Sequence, residues 1–139
     1  YNTIILSTDN IIESIAQEYN VTYNEIFQDC YKLAEYLLNK KLDKALLEKR
    51  NIIWDQTNLT SKSRRIKLKK INPFYYERIA VVFHTPPLYV IEARRKKRLE
   101  KVINQDIINS MVEKFQMPTL DEGFDKIIQM NEGMDLYVK

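Results

Sequence analysis

Residues 51–60 read Asn51-Ile52-Ile53-Trp54-Asp55-Gln56-Thr57-Asn58-Leu59-Thr60, in which a short apolar run ends at a carboxylate. Two other apolar runs are also followed by a polar residue. Asp9 follows Thr3-Ile4-Ile5-Leu6, and His84 follows Ile79-Ala80-Val81-Val82-Phe83. Short apolar runs bounded by polar residues are typical of buried strands. The last run is apolar at every position, which predicts a strand covered on both faces of its sheet.

Helical spacing of apolar residues fills the segments between these strands. Thr22 and Glu25 have the spacing of a capping box, and apolar positions such as Leu33, Leu37 and Leu42 predict one face of a long helix. Thr60 begins a short and very basic helix that ends at Asn72-Pro73. Further elements are expected as a helix over 106–115, a long helix over 119–130 and a strand over 136–138. The alternation of strands and helices predicts an α/β fold with a parallel sheet.

The composition is that of one globular domain. A chain of 139 residues with 45% hydrophobic and 29% charged residues suits a folded domain rather than a disordered segment. Cys30 is the only cysteine and His84 the only histidine, which excludes an intrachain disulfide and a zinc cluster of cysteine and histidine. No apolar run approaches the roughly 20 residues that span a bilayer. We therefore expect a cytoplasmic protein.

Positive charge is concentrated in the middle of the chain. Residues 60–101 contain 13 lysines and arginines against 3 glutamates, a local charge of +10 in a chain whose net charge is +3. A block of this kind attracts a polyanion such as a nucleotide or a nucleic acid. A solvated basic face is the alternative, and the sequence leaves both open.

Polar residues follow each of the three apolar runs. In an open parallel sheet, ligands bind at the carboxyl ends of the strands, so Asp9, residues 55–58 and His84-Thr85 should gather along one edge. Two of them also have an ordinary structural explanation, because Asp9 can cap a helix and Asp55 can occupy a turn. The repetition of the pattern after three strands favours a binding edge.

Two motifs resemble those of P-loop kinases of the polynucleotide 5′-kinase type, which have an AAA-type ATP-binding kinase domain. Asp55-Gln56-Thr57-Asn58-Leu59 resembles the D-x-T-N-L motif of that family. Residues 115–124 resemble its F-x-x-P-T-x-x-E-G-F ending. Ser7-Thr8-Asp9 matches the aspartate after the family's second strand, and residues 94–98 match its arginine-bearing lid. The resemblance covers nearly the whole chain.

The resemblance implies a three-layer parallel sheet of the P-loop kinase type. It places the family's first strand, which is central in the sheet, and its phosphate loop outside the 139 residues, which contain no G-x-x-x-x-G-K-[ST] motif. We expect residues 1–139 to be one P-loop kinase-like domain that is incomplete at its N-terminus, with an arginine-rich lid over about 88–101. About 30 or more upstream residues should carry the Walker lysine. The sheet should then show an empty position or a strand supplied from elsewhere.

The resemblance also implies catalytic roles for four residues. Asp9 is the expected general base on the acceptor hydroxyl, and Asp55 is expected to organise the acceptor site and to hold magnesium-bound water. Arg94 and Arg98, four residues apart on one helix face, are expected to clamp the nucleotide phosphates. ATP and Mg²⁺ are the implied cofactors. Substrate binding is expected from Thr57, Asn58, Arg64 and Arg65.

The sequence leaves the acceptor open. The polynucleotide kinases that this chain resembles carry an arginine three residues after the catalytic aspartate, and Ile12 stands there. DNA or RNA remains the expected partner, because the lysines and arginines of residues 62–70 can bind backbone phosphates. A nucleoside or other small-molecule kinase of the same fold is the first alternative, which Ile12 favours. A non-catalytic nucleic-acid-binding relic is the second.

Overall fold

The computed structural model describes residues 2–98, 103–130 and 136–138. Contacts divide the chain into two compact units, Tyr1–Thr57 with Arg98–Val102 and Asn58–Lys97 with Ile103–Lys139. The first unit contains β1 (Thr3–Leu6), α1 (Thr8–Glu18), α2 (Tyr23–Leu47) and β2 (Asn51–Trp54). The second contains α3 (Ser61–Leu68), β3 (Ile79–Phe83), α4 (Leu88–Lys97), α5 (Gln105–Lys114), β4 (Lys126–Met130) and β5 (Leu136–Val138). The single kinase-like domain over residues 1–139 stays a prediction.

A two-stranded parallel sheet and two helices make up the first unit. β1 and β2 pair with Thr3 opposite Asn51 and Leu6 opposite Trp54. Helix α2 packs against α1 and also contacts β1. The long helix is confirmed, and Leu42 of its predicted apolar face is buried, but Leu33 and Leu37 are exposed. The buried positions recur at three- and four-residue steps, and they are Ala34, Leu38, Leu42 and Ala45.

Both helices of the first unit begin at a side-chain cap. At α2, Thr22 Oγ1 accepts from the Glu25 backbone and Glu25 Oε2 accepts from the Thr22 backbone, so the predicted capping box is confirmed. Ser7 caps α1, because its Oγ accepts a 3.2 Å hydrogen bond from the Asn10 backbone. Asp9 lies in the first turn of α1 rather than at its cap. The structural explanation of Asp9 as a helix cap is therefore wrong.

The second unit has a three-stranded sheet of mixed direction. β3 and β4 are parallel, with Ile79 opposite Lys126, as the predicted parallel sheet requires, whereas β5 pairs antiparallel with β4. Residues of β3 alternate between exposed and buried. Ala80 and Val82 are buried with Ile127, and the intervening side chains are exposed. The predicted coverage of β3 on both faces is therefore wrong for this unit.

The long helix predicted over 119–130 is also wrong. Leu120–Glu122 form a single 3-10 turn, and β4 begins shortly afterwards. Gly123 ends the turn with a φ of +118°, a backbone conformation that glycine adopts without a steric cost. Two β-branched residues, Ile127 and Ile128, then favour a strand. The helix predicted over 106–115 and the strand predicted over 136–138 correspond to α5 and β5.

The strands that the structure describes belong to two separate sheets. One has the order β1-β2 and the other the order β3-β4-β5, so the interruption falls between β2 and β3. The fold is mixed α/β with short parallel strands, as the sequence predicts. The three-layer arrangement and the central strand outside the 139 residues stay predictions.

Candidate active site

Two carboxylates lie at the same edge of the β1-β2 sheet. Leu6 and Trp54 are partners in the register, and the Asp55 backbone N–H donates to Leu6 O over 2.8 Å. Adjacent strands lie about 4.8 Å apart, so the turn that holds Asp9 and the segment that begins at Asp55 leave the sheet side by side. Both side chains are exposed. The structure therefore brings Asp9 and Asp55 to one edge, while His84 follows β3 in the second unit.

Gln56 joins the elements that meet at this edge. Its side-chain oxygen Oε1 accepts a 2.9 Å hydrogen bond from Trp54 Nε1. Its amide nitrogen donates to Thr8 Oγ1 over 3.3 Å and to Glu35 Oε1 over 3.1 Å. The residue thus ties the end of β2 to the start of α1 and to the middle of α2. Sequence reasoning assigned Gln56 no role, because Thr8 and Glu35 are distant in the chain.

Asp9 is held by a tyrosine on α2. The Tyr23 hydroxyl donates a 2.6 Å hydrogen bond to Asp9 Oδ1. Burial raises the pKa of Tyr23 above its usual value, and the hydrogen bond to Asp9 and the charge of Asp9 raise it further. Tyr23 is therefore a protonated donor throughout the physiological pH range. A donated hydrogen bond favours the ionised form of a carboxylate, which is the form that a general base requires.

The D-x-T-N-L segment bends sharply at its asparagine. Asn58 has a φ of +48°, in the left-handed region that asparagine tolerates better than most residues. Its backbone carbonyl accepts a 2.8 Å hydrogen bond from Arg64 Nη1, and its side-chain oxygen accepts from Lys67 Nζ. Thr57, the neighbouring predicted substrate-binding residue, is exposed. Asn58 therefore shapes the loop, and a direct contact with substrate stays a prediction for both residues.

The two sequence motifs meet in the interior of the second unit through Arg64 and Glu122. Arg64 Nε and Nη2 each donate a 2.8 Å hydrogen bond to one Glu122 carboxylate oxygen, and Arg64 Nη1 also donates to Leu59 O. The side chains are only 5% and 2% exposed. Hydrogen bonds from Arg64 lower the pKa of Glu122 despite its burial. The Arg64 guanidinium group is therefore buried, and it is not exposed for the contact with substrate that was predicted for it.

Arg65, next to this buried pair, points outward. Its guanidinium lies 3.5 Å from the Asp121 carboxylate, and both side chains are exposed. Loose exposed pairs of this kind are readily exchanged for other partners, because water and salt screen them. Of the two arginines predicted to bind substrate, only Arg65 is placed where an anionic ligand can reach it.

The arginine-rich lid begins with α4. Arg94 lies in the helix and is exposed, whereas Arg98 follows its last residue and is exposed as well. The Arg95 side chain is held by two hydrogen bonds, since its guanidinium donates to Gln105 Oε1 over 2.6 Å and to Ile103 O over 3.0 Å. The last part of the predicted lid, residues 99–101, lies outside the described residues. Because α4 ends at Lys97, directly before Arg98, the shared helix face for Arg94 and Arg98 stays a prediction.

The basic helix α3 leads into an exposed aromatic turn. The side chains of Lys62, Lys69 and Lys70 are exposed on and just after this helix. Asn72 then accepts backbone hydrogen bonds from Tyr75 and Tyr76 and closes a turn. Phe74 and Tyr75, within this turn, are 93% and 78% exposed. At most about 3.6 Å separates successive residues, so the Cα atom of Phe74 lies within about 14 Å of that of Lys70.

The sequence profile of the AAA domain family matches residues 1–118. The chain belongs to the AAA domain family. This membership indicates a nucleotide-binding, kinase-like protein of the P-loop type. Searches of curated proteins and of solved structures found no match.

The matched part of the AAA domain holds both edge carboxylates and the lid arginines, whereas Glu122 lies beyond it. Ile12, three residues after Asp9, is fully buried, so the side chain at this position faces the interior. No cation is therefore available there to hold a phosphate group of an acceptor.

Carboxylates are available for magnesium at the edge where Asp9 and Asp55 lie. Mg²⁺ bound together with a nucleotide takes about one or two carboxylates and completes its shell with water and phosphate oxygens. The exposed oxygens at this edge of the AAA domain fit that donor set. Among residues 2–98, 103–130 and 136–138, no three His, Cys, Asp or Glu side chains form a group that could hold a metal ion by themselves. In the same described part, no helix has the length and apolar character needed to cross a membrane.

Proposed function

We propose that the protein is an ATP-dependent kinase that transfers the γ-phosphate to the 5′-hydroxyl of a polynucleotide. The observation that carries the proposal is the pair of exposed carboxylates at one sheet edge, with Asp9 oriented by Tyr23 and Asp55 directly after β2. Membership of the AAA domain family supplies the nucleotide-binding character. Such an enzyme requires a phosphate loop, and the 139 residues contain no G-x-x-x-x-G-K-[ST] motif.

Asp9 acts as the general base in the proposed reaction. The acceptor hydroxyl oxygen forms a bond to the γ-phosphorus, the bond from that phosphorus to the bridging oxygen breaks, and ADP leaves. The proton of the hydroxyl passes to the Asp9 carboxylate. A carboxylate offers about four acceptor sites, so acceptance from Tyr23 is compatible with a second donor.

Asp55 and the lid arginines have separate proposed roles. Asp55 would orient the acceptor and, with nucleotide bound, hold the water ligands of magnesium, which neutralises phosphate charge. Arg94 and Arg98 would supply cations for the charge that spreads over the phosphoryl oxygens. Thr57, Asn58 and Arg65 are the proposed substrate-binding residues, and we leave Arg64 out because its guanidinium is buried.

The basic surface favours a polynucleotide over a small-molecule acceptor. α3 carries no acidic residue, its Lys62 and Arg65 are exposed, and the exposed Lys69 and Lys70 follow its last residue. Positive charge binds backbone phosphates, and exposed aromatic rings such as Phe74 and Tyr75 stack on unpaired bases. The buried Ile12 favours the alternative, a nucleoside kinase of the same fold.

A transfer assay with the full-length protein tests the function. We expect labelled γ-phosphate to appear on the 5′ end of single-stranded DNA or RNA, with affinity for the oligonucleotide that falls steeply as salt rises. Neutralising about three phosphates gives a slope near −2 in a plot of log affinity against log salt for single strands. Lys62→Ala with Lys69→Ala should flatten that slope. Transfer to free nucleosides alone, without salt dependence, would favour the small-molecule alternative.

The lid arginines should act on the nucleotide. We expect Arg94→Ala and Arg98→Ala each to lower kcat/KM for ATP by about 10- to 100-fold, since each removes a hydrogen bond to a charged group. The KM for the acceptor should change little. Lys96→Ala is the matched control, because this residue is a neighbouring exposed cation of α4 to which no role is assigned. Equal, small effects in all three variants would indicate that the basic residues 94–98 form a solvated surface with no role in nucleotide binding.

A further inference from the structure

We propose that an aromatic strip on α2, formed by Tyr23, Phe27 and Tyr31, binds the nucleobase of the acceptor whose 5′-hydroxyl faces Asp9. The inference rests on the kinase activity proposed above and names a part of its substrate. The strip begins at the proposed general base, because the Tyr23 hydroxyl donates to Asp9 Oδ1. A ligand whose reactive hydroxyl lies at Asp9 therefore has the strip next to it.

The three rings form a continuous row. They are four residues apart on the helix, and the ring centroids of Tyr23 and Phe27 and those of Phe27 and Tyr31 are each 5.5 Å apart. The ring planes are inclined by 35° and 50°, so the rings are not stacked on each other. Each helical turn advances by about 5.4 Å, which leaves a base against Phe27 with its sugar near the Tyr23 and Asp9 end.

Both ends of the strip are fixed to the sheet edge. At one end Tyr23 is bonded to Asp9. At the other end Tyr31 interacts with Glu35, whose carboxylate accepts from Gln56 Nε2 over 3.1 Å. Gln56 in turn donates to Thr8 next to Asp9. The strip is therefore oriented relative to the proposed catalytic carboxylates rather than attached to an independent surface.

The chemistry of the strip suits a neutral planar group. Burial and Asp9 raise the pKa of Tyr23, and burial and Glu35 raise the pKa of Tyr31, so both rings remain uncharged. Every nucleobase has a π face that stacks on such rings whatever its sequence. Ile12 is buried and leaves no cation for a phosphate three residues after Asp9. Recognition by stacking on the base fills that role.

The test compares acceptors that differ only in the terminal base. The full-length protein is given an oligonucleotide with a free 5′-hydroxyl, the same oligonucleotide with an abasic 5′-terminal residue, and a free nucleoside. We expect removal of the base to raise the acceptor KM of the natural protein about 5- to 150-fold, the range that stacking on one aromatic side chain supports. Phe27→Leu with Tyr31→Leu keeps apolar bulk and removes the π faces, and this variant should use normal and abasic ends almost equally.

Tyr36→Leu is the matched control for the strip. Tyr36 lies on the same helix and is 58% exposed against 44% for Tyr31, but its ring faces Lys40 rather than the strip. This variant should keep the discrimination against the abasic end. Two results would contradict the role of the strip without contradicting the kinase activity. One is equal use of normal and abasic ends by the natural protein, and the other is discrimination that persists in Phe27→Leu with Tyr31→Leu. Absence of transfer to every acceptor would overturn both.

Tyr23→Phe separates orientation of Asp9 from binding of the base. The phenylalanine keeps the ring, so discrimination against the abasic end should persist. Loss of the hydroxyl removes a hydrogen bond to a charged group, and kcat should fall about 10-fold or more, with the acid limb of the pH–rate profile moved to higher pH. A fall in kcat without that movement would mean that Tyr23 does not act through Asp9. Similar KM values for oligonucleotide and nucleoside, without dependence on salt, would identify the nucleoside as the acceptor. A much lower KM for the oligonucleotide would identify the polynucleotide end.

Discussion

Asp9→Asn is expected to lower kcat for phosphoryl transfer by about 10²- to 10⁴-fold, the usual contribution of a general base. An amide cannot take the proton of the attacking hydroxyl. Its oxygen can still accept the hydrogen bond from Tyr23, so the side chain should keep its place on α1. The variant therefore separates loss of proton transfer from loss of structure. Steady-state rates over a range of ATP and acceptor concentrations measure the effect.

The binding of ATP should be nearly unchanged in this variant. Asp9 acts on the acceptor in the proposed reaction, and the nucleotide is bound by other groups. Asp43→Asn is the control, because this aspartate is an exposed residue of α2 on which no proposal depends. Turnover close to that of the natural protein, with folding confirmed by circular dichroism, would contradict the role of Asp9.

Glu122→Ala is expected to lower the free energy of unfolding by about 3–5 kcal/mol, because it leaves the buried Arg64 guanidinium without its counter-charge. This is a large part of the roughly 5–15 kcal/mol that stabilises a domain. Arg64→Ala should have a similar effect, since it leaves the carboxylate buried and unpaired. Denaturant unfolding of each variant measures the loss.

The neighbouring pair Arg65 and Asp121 provides a matched control. It joins the same two segments of the chain, but its atoms are 3.5 Å apart and both side chains are exposed. Asp121→Ala should therefore change stability little, because water and salt already screen the pair. Replacement of Arg64 and Glu122 together by apolar residues should cost less than either single change. Equal losses in Glu122→Ala and Asp121→Ala would contradict the importance of burial.

The same pair predicts a dependence of stability on pH. The folded-state pKa of Glu122 is lowered by the hydrogen bonds from Arg64, so the folded state favours the ionised form. Its stabilising contribution is complete above the unfolded-state pKa of a glutamate, about 4.3. It is lost as the pH falls through the lower pKa of the folded state. Glu122→Gln should remove this part of the acid dependence and leave the remainder.

The sequence alone identified most of the elements and the residues that bear the proposed chemistry. Short apolar runs predicted β1, β2 and β3, because burial of a strand between polar ends leaves a pattern that depends only on neighbouring residues. Thr22 with Glu25 predicted the start of α2 for the same reason. The positions of Asp9 and Asp55 after two such runs predicted their meeting at one edge, which follows from the parallel pairing of β1 and β2.

Local patterns failed where two structures compete for one segment. Residues 119–130 have helical spacing, yet the left-handed backbone of Gly123 and the pairing of β4 with β3 impose a turn and a strand. Tertiary pairing overrides a weak local preference in this way, because a strand gains a whole ladder of hydrogen bonds. In α2 the buried positions Ala34 and Leu38 replace the predicted Leu33 and Leu37 for a similar reason, since the packing partner selects the face.

Only the tertiary structure decided what the site residues contact. Tyr23 and Asp9 are 14 residues apart, and Gln56 and Thr8 are 48 apart, so no local spacing records either hydrogen bond. Arg64 is the sharpest case, because its sequence context is a basic helix that predicts exposure to a polyanion. Its partner Glu122 lies 58 residues away, and their pairing allows the guanidinium to be buried. The sequence determined which residues carry charge, whereas the packing of distant segments decided which charges face solvent and which hold the fold together.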